Sequence, residues 1–290
     1  MVIRPAGVDE GIVFVRSDLK GNNRIRADVF NVRDTTLATT LGLNGVTVST
    51  VEHLMSAFSA MGVDNALVEV DAPEVPIMDG SARPFVVLIK EAGTRIQDKQ
   101  RKRLLIKRQV SVSDGECSAT LLPAPEFMIT YKIDFDHPFI GRQSYQMTCT
   151  DACYERDISS ARTFGFLKDV EYLQAKGLAL GGSLKNAVVL DEERIINKEG
   201  LRCHDEFVKH KILDAIGDLS LLGIPIVGHF VAFKSGHRLN NLLLRALMER
   251  KDCWTIVNGN GFEEPSAAWE ALGMPGSALP DSPAVAISAL

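Results

Sequence analysis

Several common sequence signals are missing from this 290-residue chain. No apolar run approaches the roughly 18 residues that a membrane-spanning helix needs. The opening residues, MVIRPAGVDEG, lack the basic-then-apolar pattern of a secretory signal. A formal net charge of −5 argues against a general nucleic-acid binder. The sequence therefore predicts no stable membrane insertion and no nucleic-acid partner.

Cysteine pairs and glycine-rich phosphate loops are missing as well. The five cysteines include no Cys-x-x-Cys pair, and their number is odd. Because disulfides persist mainly in oxidising compartments, we interpret these residues as free thiols of a protein in a reducing cytoplasm. The patterns GxxxxGKS/T and GxGxxG do not occur, so phosphate binding by such a loop is not indicated.

What the chain does contain indicates an α+β protein. Hydrophobic residues make up 46% of the sequence and charged residues 24%, which is ordinary for a protein that buries a core. Short β-branched runs predict strands at 12–16 and 66–70. Between them we expect a helix that Ser49 and Thr50 cap and that ends at Gly62.

A polar stretch, TRIQDKQRKR, predicts a linker, after which strands and paired helices begin again. Two successive units of this kind favour two domains with a cleft between them. We expect a first domain at 1–97, a second at 104–272 and a poorly ordered tail at 273–290.

One predicted helix, EFVKHKILDAIGDL, carries a stripe of metal-binding residue types. At about 100° per residue, His210, Asp214 and Asp218 share one face, while apolar residues occupy the opposite arc. A surface helix with its polar side in water has the same pattern. A His-x-x-x-Asp spacing, however, is also suited to chelating a metal, and Lys211 adds a cation that suits an anionic substrate.

Glu52 and His53 supply a second imidazole and a carboxylate beside it. Such a pair is also consistent with packing and with a carboxylate at the positive end of a helix. Adjacent helical residues point about 100° apart, so His53 can bind a metal while Glu52 acts as a base on the attacking water. Together the two segments predict a hydrolytic metal site.

Two further segments complete the candidate site. His237 follows a Gly-containing turn between a predicted strand and helix, and as a general acid it needs a raised pKa, which Asp218 can supply. In the loop SSARTFGF, the Thr163 hydroxyl can donate to an oxyanion, whereas the alternative is a plain turn with buried Phe.

Long motifs of the chain resemble the UDP-3-O-acyl-N-acetylglucosamine deacetylase family, zinc amidases of lipid A synthesis in Gram-negative bacteria. The resemblance runs from about Arg4 to about Trp254, and its most specific parts are 49–85, 159–183, 205–219 and 228–244. It implies hydrolysis of the N-acetyl group of UDP-3-O-(3-hydroxyacyl)-N-acetylglucosamine. It also implies two similar two-layer α/β sandwich domains of β-α-α-β type, facing each other with the active site between them.

The resemblance assigns the reactive positions residue by residue. The cofactor of the family is Zn²⁺, and its ligands match His53, His210 and Asp214. Glu52 matches the general base. His237 matches the cation that stabilises the transition state and protonates the departing amine, and Asp218 matches the residue that orients this imidazole. Thr163 matches the oxyanion donor.

Substrate contacts follow from the same resemblance. Lys211 and Lys234 match positions that meet the diphosphate, and Phe135 matches the aromatic residue that stacks on uracil. The substrate-binding set also includes Phe164 beside the oxyanion loop. Val170, Ala179 and Val189 fall in an insert that forms an apolar passage for the acyl chain.

One departure from the family pattern concerns the beginning of the chain. Family members usually start upstream of the segment matched by IRPAGVDEG, with a strand and a Gly-His-containing turn near the active site. Either the true start lies upstream, or the chain is a shortened relative. In the second case we expect an open sheet edge in the first unit, with a loss of stability and activity. The alternative function is that of a catalytically impaired, truncated paralogue that binds a nucleotide-sugar or a protein partner.

Two further interpretations stay open. One is a zinc amidohydrolase of the same fold that acts on a different N-acyl sugar. The other concerns regulation, because the small, apolar ending AVAISAL can serve as a handle for a protease that controls enzyme level.

Overall fold

A computed structural model describes residues 1–168 and 181–258 of the chain. The described residues form several β-sheets with packed helices, which confirms the α+β class. Strands predicted at 12–16 and 66–70 are present at those positions. No helix in the described ranges is long and apolar enough to cross a bilayer.

The N-terminal part of the chain forms a four-stranded sheet and a smaller three-stranded one. The larger sheet has the order β1-β7-β2-β3, with β2 parallel to β7 and the other pairs antiparallel. β1 is therefore an edge strand of this sheet. The strands are β1 (Val2–Pro5), β2 (Ile12–Arg16), β3 (Arg24–Arg26), β4 (Val32–Asp34), β5 (Thr40–Leu43), β6 (Val46–Val48) and β7 (Ala66–Val70).

The later part of the chain forms a seven-stranded sheet. Its main path is β12-β11-β15-β10-β9, and β8 pairs with both β15 and β16. A separate parallel pair, β13 and β14, lies next to the candidate oxyanion loop. The strands are β8 (Lys102–Ile106), β9 (Val110–Asp114), β10 (Cys117–Leu122), β11 (Phe127–Asp134), β12 (Arg142–Thr148), β13 (Phe164–Phe166), β14 (Val188–Leu190), β15 (Ile226–Phe233) and β16 (Trp254–Asn258).

The helices supply the reactive side chains and much of the core. They are α1 (Glu52–Ala60), α2 (Arg83–Ala92), α3 (Asp151–Cys153, continued by a π-helical turn at Tyr154–Ile158), α4 (Glu206–Ser220) and α5 (His237–Glu249). Short 3-10 turns occur at Val29–Asn31 and Lys251–Cys253. One large apolar cluster joins residues of both main sheets and of the helices between them.

The predicted division into residues 1–97, 104–272 and 273–290 stays a prediction. β8 begins at Lys102, inside the polar stretch expected to link the two units. Residues 273–290, the expected tail, lie outside the described residues.

Helices α1 and α4 cross at very short range, and a glycine makes this possible. A Cβ atom added to Gly217 would lie 2.0 Å from the backbone carbonyl oxygen of Glu52. Because the obstacle is backbone, relief would require moving one helix against the other. The close crossing brings the first turn of α1 against the middle of α4, which is where both metal-binding residue types lie.

We therefore expect Gly217→Ala to lower the free energy of unfolding. Alanine is favoured over glycine in a helix by about 0.5–1 kcal/mol, but overpacking a close contact costs about 1–3 kcal/mol or more. Chemical denaturation of both proteins measures the difference. Gly181→Ala is the control, because no other described residue except its chain neighbours lies within 4 Å of a Cβ at that position. Equal stability of Gly217→Ala and wild type would contradict the tight crossing.

Candidate active site

The polar stripe of α4 faces the protein interior. His210, Asp214 and Asp218 are only 2%, 4% and 2% exposed. The alternative of a surface helix with its polar side in water is therefore wrong. Ionisable groups are this deeply buried only when paired or bound to metal, since removing a charge from water is costly.

The candidate base and the second imidazole begin helix α1. Glu52 and His53 are its first two residues, and both are 3% exposed. The predicted cap is wrong: the N-cap residue is Val51, with no side-chain cap. Thr50 instead has a φ of 58° and donates its hydroxyl proton to Glu74 Oε1 at 2.7 Å. That contact takes the hydroxyl away from the helix end.

Three side chains converge where α1 meets α4. Asp214 Oδ1 lies 3.3 Å from His210 Nε2 and 3.6 Å from His53 Nε2. Within the described part of the chain, His53, His210 and Asp214 are the one group of three residues arranged to hold a metal ion. The hydrogen bonds and charges around these three residues determine whether a metal ion fits between them.

Protonation around the cluster leaves acceptor atoms facing one another. His210 Nδ1 lies 3.1 Å from the Ala161 carbonyl oxygen, so Nδ1 donates and Nε2 of the neutral ring keeps its lone pair. Burial lowers the pKa of His210 to about 4, which favours this neutral form. Asp214 Oδ1 is buried and has no hydrogen-bond partner among the described residues.

A metal ion fits these donors. Burial acts to raise the pKa of Asp214, but electrostatic interactions with His210 and with the cations of Lys211 and His237, together with the neighbouring His53 imidazole, hold that pKa well below its usual range. A neutral imidazole and an ionised carboxylate are the forms that bind metals. Zinc bonds of about 2.0–2.1 Å in a tetrahedron separate ligand atoms by about 3.3–3.4 Å. That spacing matches the observed 3.3 and 3.6 Å.

Glu52 lies beside the cluster with one oxygen committed and one directed toward His237. Its Oε2 accepts a hydrogen bond from the Thr39 backbone N–H at 3.0 Å. Its Oε1 lies 3.9 Å from His237 Nε2. Burial raises the pKa of Glu52, and the positive charge of His237 opposes that rise. The carboxyl therefore has a higher proton affinity than an exposed glutamate, as a general base requires.

His237 is the first residue of α5 and pairs with Asp218. Its Nδ1 lies 2.8 Å from Asp218 Oδ2. Burial acts to lower the pKa of His237, but the charge and hydrogen bond of Asp218, together with Glu52, raise it to about 10. A cation at a helix N-terminus is disfavoured by the helix dipole by about 0.3–1 kcal/mol. The two carboxylates outweigh that effect, so the imidazole is protonated at neutral pH.

A buried ion pair holds the loop that carries Thr163. Arg162 Nε and Nη2 donate to the two carboxylate oxygens of Glu206 at 2.8 and 3.1 Å, and the side chains are 3% and 0% exposed. The neighbouring Ala161 carbonyl is the one that accepts from His210. Thr163 itself is fixed by its backbone, since its N–H donates to the Gly80 carbonyl at 2.8 Å.

The two lysines expected at the diphosphate have acidic partners in this structure. Lys211 Nζ lies 3.1 Å from Asp214 Oδ2, the oxygen that faces away from the imidazoles. Lys234 Nζ lies 3.1 Å from Glu116 Oε2 and 3.6 Å from Asp134 Oδ2. Lys211 therefore stands directly beside the candidate metal cluster.

The predicted aromatic contacts form one connected group. The Phe135 and Phe164 rings are 5.7 Å apart edge to face, and Phe164 lies 6.2 Å from the His210 ring. Val189 is buried in β14, next to the strand that carries Phe164. Val170 and Ala179, the other predicted residues of the apolar passage, lie outside the described residues.

Sequence reasoning missed several buried residues that support the site. Glu206 lies four residues before His210 on the same helix face, so helical spacing could have identified it. No sequence pattern indicates its partner Arg162. Asn240 donates to Asp218 Oδ2 at 2.8 Å, and Thr39 donates to Asp218 Oδ1 at 2.6 Å. Thr39 lies far away in the sequence, within an ordinary threonine-rich segment.

Breaking the buried ion pair should destabilise the protein strongly. Glu206→Gln removes the buried carboxylate and leaves Arg162, among the described residues, with only the exposed Glu199 as an acidic partner, at 3.3 Å. Removing one partner of a buried pair typically costs about 3–5 kcal/mol. The free energy of unfolding from denaturant titration measures this loss. Arg4→Gln removes one side of the exposed Arg4–Glu69 pair and should cost less than about 1 kcal/mol. Similar losses in both variants would contradict the role of the buried pair.

The His237 imidazole should keep its proton well into the alkaline range. Compared with an unfolded-state pKa of about 6.5, the folded value of about 10 contributes stability that is complete below pH 6.5 and is lost as pH rises through 10. Asp218→Asn should lower the His237 pKa by about one to three pH units. Imidazole NMR of both proteins across alkaline pH measures the two values, and unchanged titration in the variant would exclude Asp218 as the cause.

The chain is similar to known proteins of one family. Residues 1–249 match the family model described as LpxC, UDP-3-O-acyl N-acetylglycosamine deacetylase. A UDP-3-O-acyl-N-acetylglucosamine deacetylase of Syntrophus aciditrophicus (strain SB) is 66% identical over 258 residues, 89% of this chain and 82% of the relative. Proteins of the same name from Myxococcus xanthus (strain DK1622) and Shewanella baltica (strain OS155) are 55% and 51% identical. Those matches cover 89% and 96% of this chain and 82% and 90% of the respective relatives.

The family model matches most of the chain, and the relatives are highly similar to it. The chain belongs to the UDP-3-O-acyl-N-acetylglucosamine deacetylase family.

Proposed function

We propose that this protein is a zinc-dependent deacetylase that removes the N-acetyl group of UDP-3-O-(3-hydroxyacyl)-N-acetylglucosamine, the committed step of lipid A biosynthesis. The observation that carries the proposal is the meeting of three metal-binding side chains with two proton-transfer groups. His53, His210 and Asp214 form the cluster, while Glu52 and His237 lie beside each other at 3.9 Å. The name of the family indicates the substrate.

The cluster residues are proposed to hold Zn²⁺. Bound there, the ion would supply Lewis acidity that polarises the amide carbonyl and makes water more acidic. The Ala161 carbonyl fixes the orientation of the His210 ring, and Lys211 fixes the outer oxygen of Asp214. Such outer partners are typical of metal sites and orient the ligands.

Glu52 and His237 are proposed to divide the proton transfers. Glu52, with Oε2 held by Thr39 and Oε1 available, takes a proton from the attacking water. His237 holds its proton at Nε2, because Nδ1–H is committed to Asp218, and donates to the departing nitrogen. An amine is a poor leaving group, so protonation must accompany cleavage. Thr163 is proposed to donate its hydroxyl proton to the oxyanion.

Recognition of the substrate is proposed to use three groups of residues. Lys211 and Lys234 meet the diphosphate, which would compete with their present carboxylate partners. Phe135, held edge to face by Phe164, stacks on uracil. Val189, with Val170 and Ala179, contacts the acyl chain. At about 0.8 kcal/mol per buried CH₂, an acyl chain of about ten carbons contributes strongly to affinity.

We propose a cytoplasmic location, because the substrate is a nucleotide-sugar and the cysteines within the described residues are free. Action of a protease on the C-terminal segment stays a prediction about residues outside those described.

The direct experiment is deacetylation of UDP-3-O-(3-hydroxyacyl)-N-acetylglucosamine by the purified full chain, with zinc measured on the same sample. Release of acetate by protein that contains about one zinc per chain is the expected result. Folded, zinc-containing protein that binds the substrate without releasing acetate would overturn the proposal and favour the impaired paralogue. Turnover of an N-acyl sugar without UDP at an equal rate would favour a different amidohydrolase.

Substitutions should separate the metal ligands from the base. We expect His53→Ala or Asp214→Ala to lose zinc and activity together, because each removes one of three ligands. Glu52→Ala should retain zinc and lose activity by about 10²-fold or more, the range expected for general-base catalysis. Metal analysis and initial rates measure both effects.

His204→Ala is the control for these substitutions, because that side chain is 94% exposed and should leave both quantities unchanged. Zinc loss in Glu52→Ala would make Glu52 a ligand and refute its assignment as the base.

A further inference from the structure

Thr39 lies in the short segment just before β5 and is 1% exposed. A threonine buried this completely must have partners for its hydroxyl, its N–H and its carbonyl, because unsatisfied buried polar groups are costly. All three groups of Thr39 have partners, and the partners belong to the reactive part of the molecule.

The backbone of Thr39 holds the start of α1. Its N–H donates to Glu52 Oε2 at 3.0 Å, and its carbonyl accepts from the Val51 N–H at 3.4 Å. The first contact uses the Glu52 oxygen that points away from His237. Rotation of the Glu52 carboxylate is therefore restricted, and Oε1 stays directed toward the Nε2 atom of His237.

The side chain of Thr39 holds the other proton-transfer pair. Its hydroxyl donates to Asp218 Oδ1 at 2.6 Å, across 179 positions of sequence. The second oxygen of Asp218 accepts from Asn240 at 2.8 Å and faces His237 Nδ1, also at 2.8 Å. With Thr39 and Asn240 as donors, both carboxylate oxygens are occupied, and the plane of the carboxylate is fixed.

We propose that Thr39 is a positioning residue that joins the base and the acid of the reaction, holding Glu52 through its N–H and the Asp218–His237 pair through its hydroxyl. The proposal rests on the proposed deacetylase function. In the described part of the chain, Thr39 makes no hydrogen bond to the side chains of His53, His210 or Asp214. Its effect is on where the two proton-transfer groups point, so it should act on turnover more than on substrate affinity.

The side chain can be tested without disturbing the backbone contacts. Thr39→Val keeps shape and N–H but removes the hydroxyl, so Asp218 Oδ1 loses its donor. Thr39→Ser keeps the hydroxyl and removes a methyl group. Thr40→Val is a matched control, because it removes the adjacent hydroxyl, whose partner is Ser49 Oγ at 2.8 Å. Each variant is made in the full-length, zinc-loaded chain.

We expect Thr39→Val to lower kcat by about tenfold or more, the loss typical of one hydrogen bond to a charged group. KM and zinc content should change little relative to the Thr40→Val control, whereas Tm should fall, because a buried carboxylate oxygen loses its donor. Thr39→Ser should restore most of kcat. A Thr39→Val enzyme with the kcat of Thr40→Val, or a Thr39→Ser enzyme as slow as Thr39→Val, would overturn the proposal.

A second measurement does not depend on turnover. The His237 Nδ1 proton, shared with Asp218, should give a low-field proton NMR signal in wild type and Thr39→Ser. In Thr39→Val that signal should broaden or disappear, because the Asp218 carboxylate is no longer fixed. An unchanged signal would contradict the proposal, even if the wild type fails to deacetylate the sugar. Absence of wild-type turnover with the signal pattern as expected would instead refute the proposed function alone.

Discussion

Everything in the site depends on one buried arrangement in which lone pairs face each other. Asp214 Oδ1 has no hydrogen-bond partner among the described residues, yet it lies 3.3 Å from His210 Nε2. That nitrogen cannot donate, because the one N–H of the neutral ring is at Nδ1 and donates to the Ala161 carbonyl. Such a contact is unfavourable unless a cation lies between the atoms. Helix α1 reaches this point only because Gly217 lets its backbone touch α4.

Two buried ionisable groups close to this centre, Glu52 and His237, have pKa values that are raised for different reasons. Burial raises the pKa of Glu52, while His237, buried to a similar degree, has its pKa raised to about 10 by Asp218 and Glu52. The proposed base thus has an increased proton affinity, and the proposed acid keeps its proton. The 3.9 Å between Glu52 Oε1 and His237 Nε2 is compatible with the proposal that both act on one amide. The buried Arg162–Glu206 pair fixes the loop that carries Thr163.

Local patterns predicted the elements and the reactive side chains better than their surroundings. Helical spacing placed His210, Asp214 and Asp218 on one face, and β-branched runs located β2 and β7. The pattern alone did not say whether that face was buried, because burial depends on α1, a helix about 150 positions earlier. The cap at Thr50 was mispredicted since its hydroxyl bonds to Glu74. Thr39 and Arg162 were missed because their partners are distant in sequence.

The most direct test is to locate the metal. Crystals of the zinc-loaded protein, measured on both sides of the zinc absorption edge, give an anomalous map that shows where zinc binds. We expect one strong peak between His53, His210 and Asp214, with Glu52 close by but not bonded to the ion. A zinc peak bonded to Glu52 would contradict this assignment. Zinc bound elsewhere, with no peak between these three side chains, would contradict it as well.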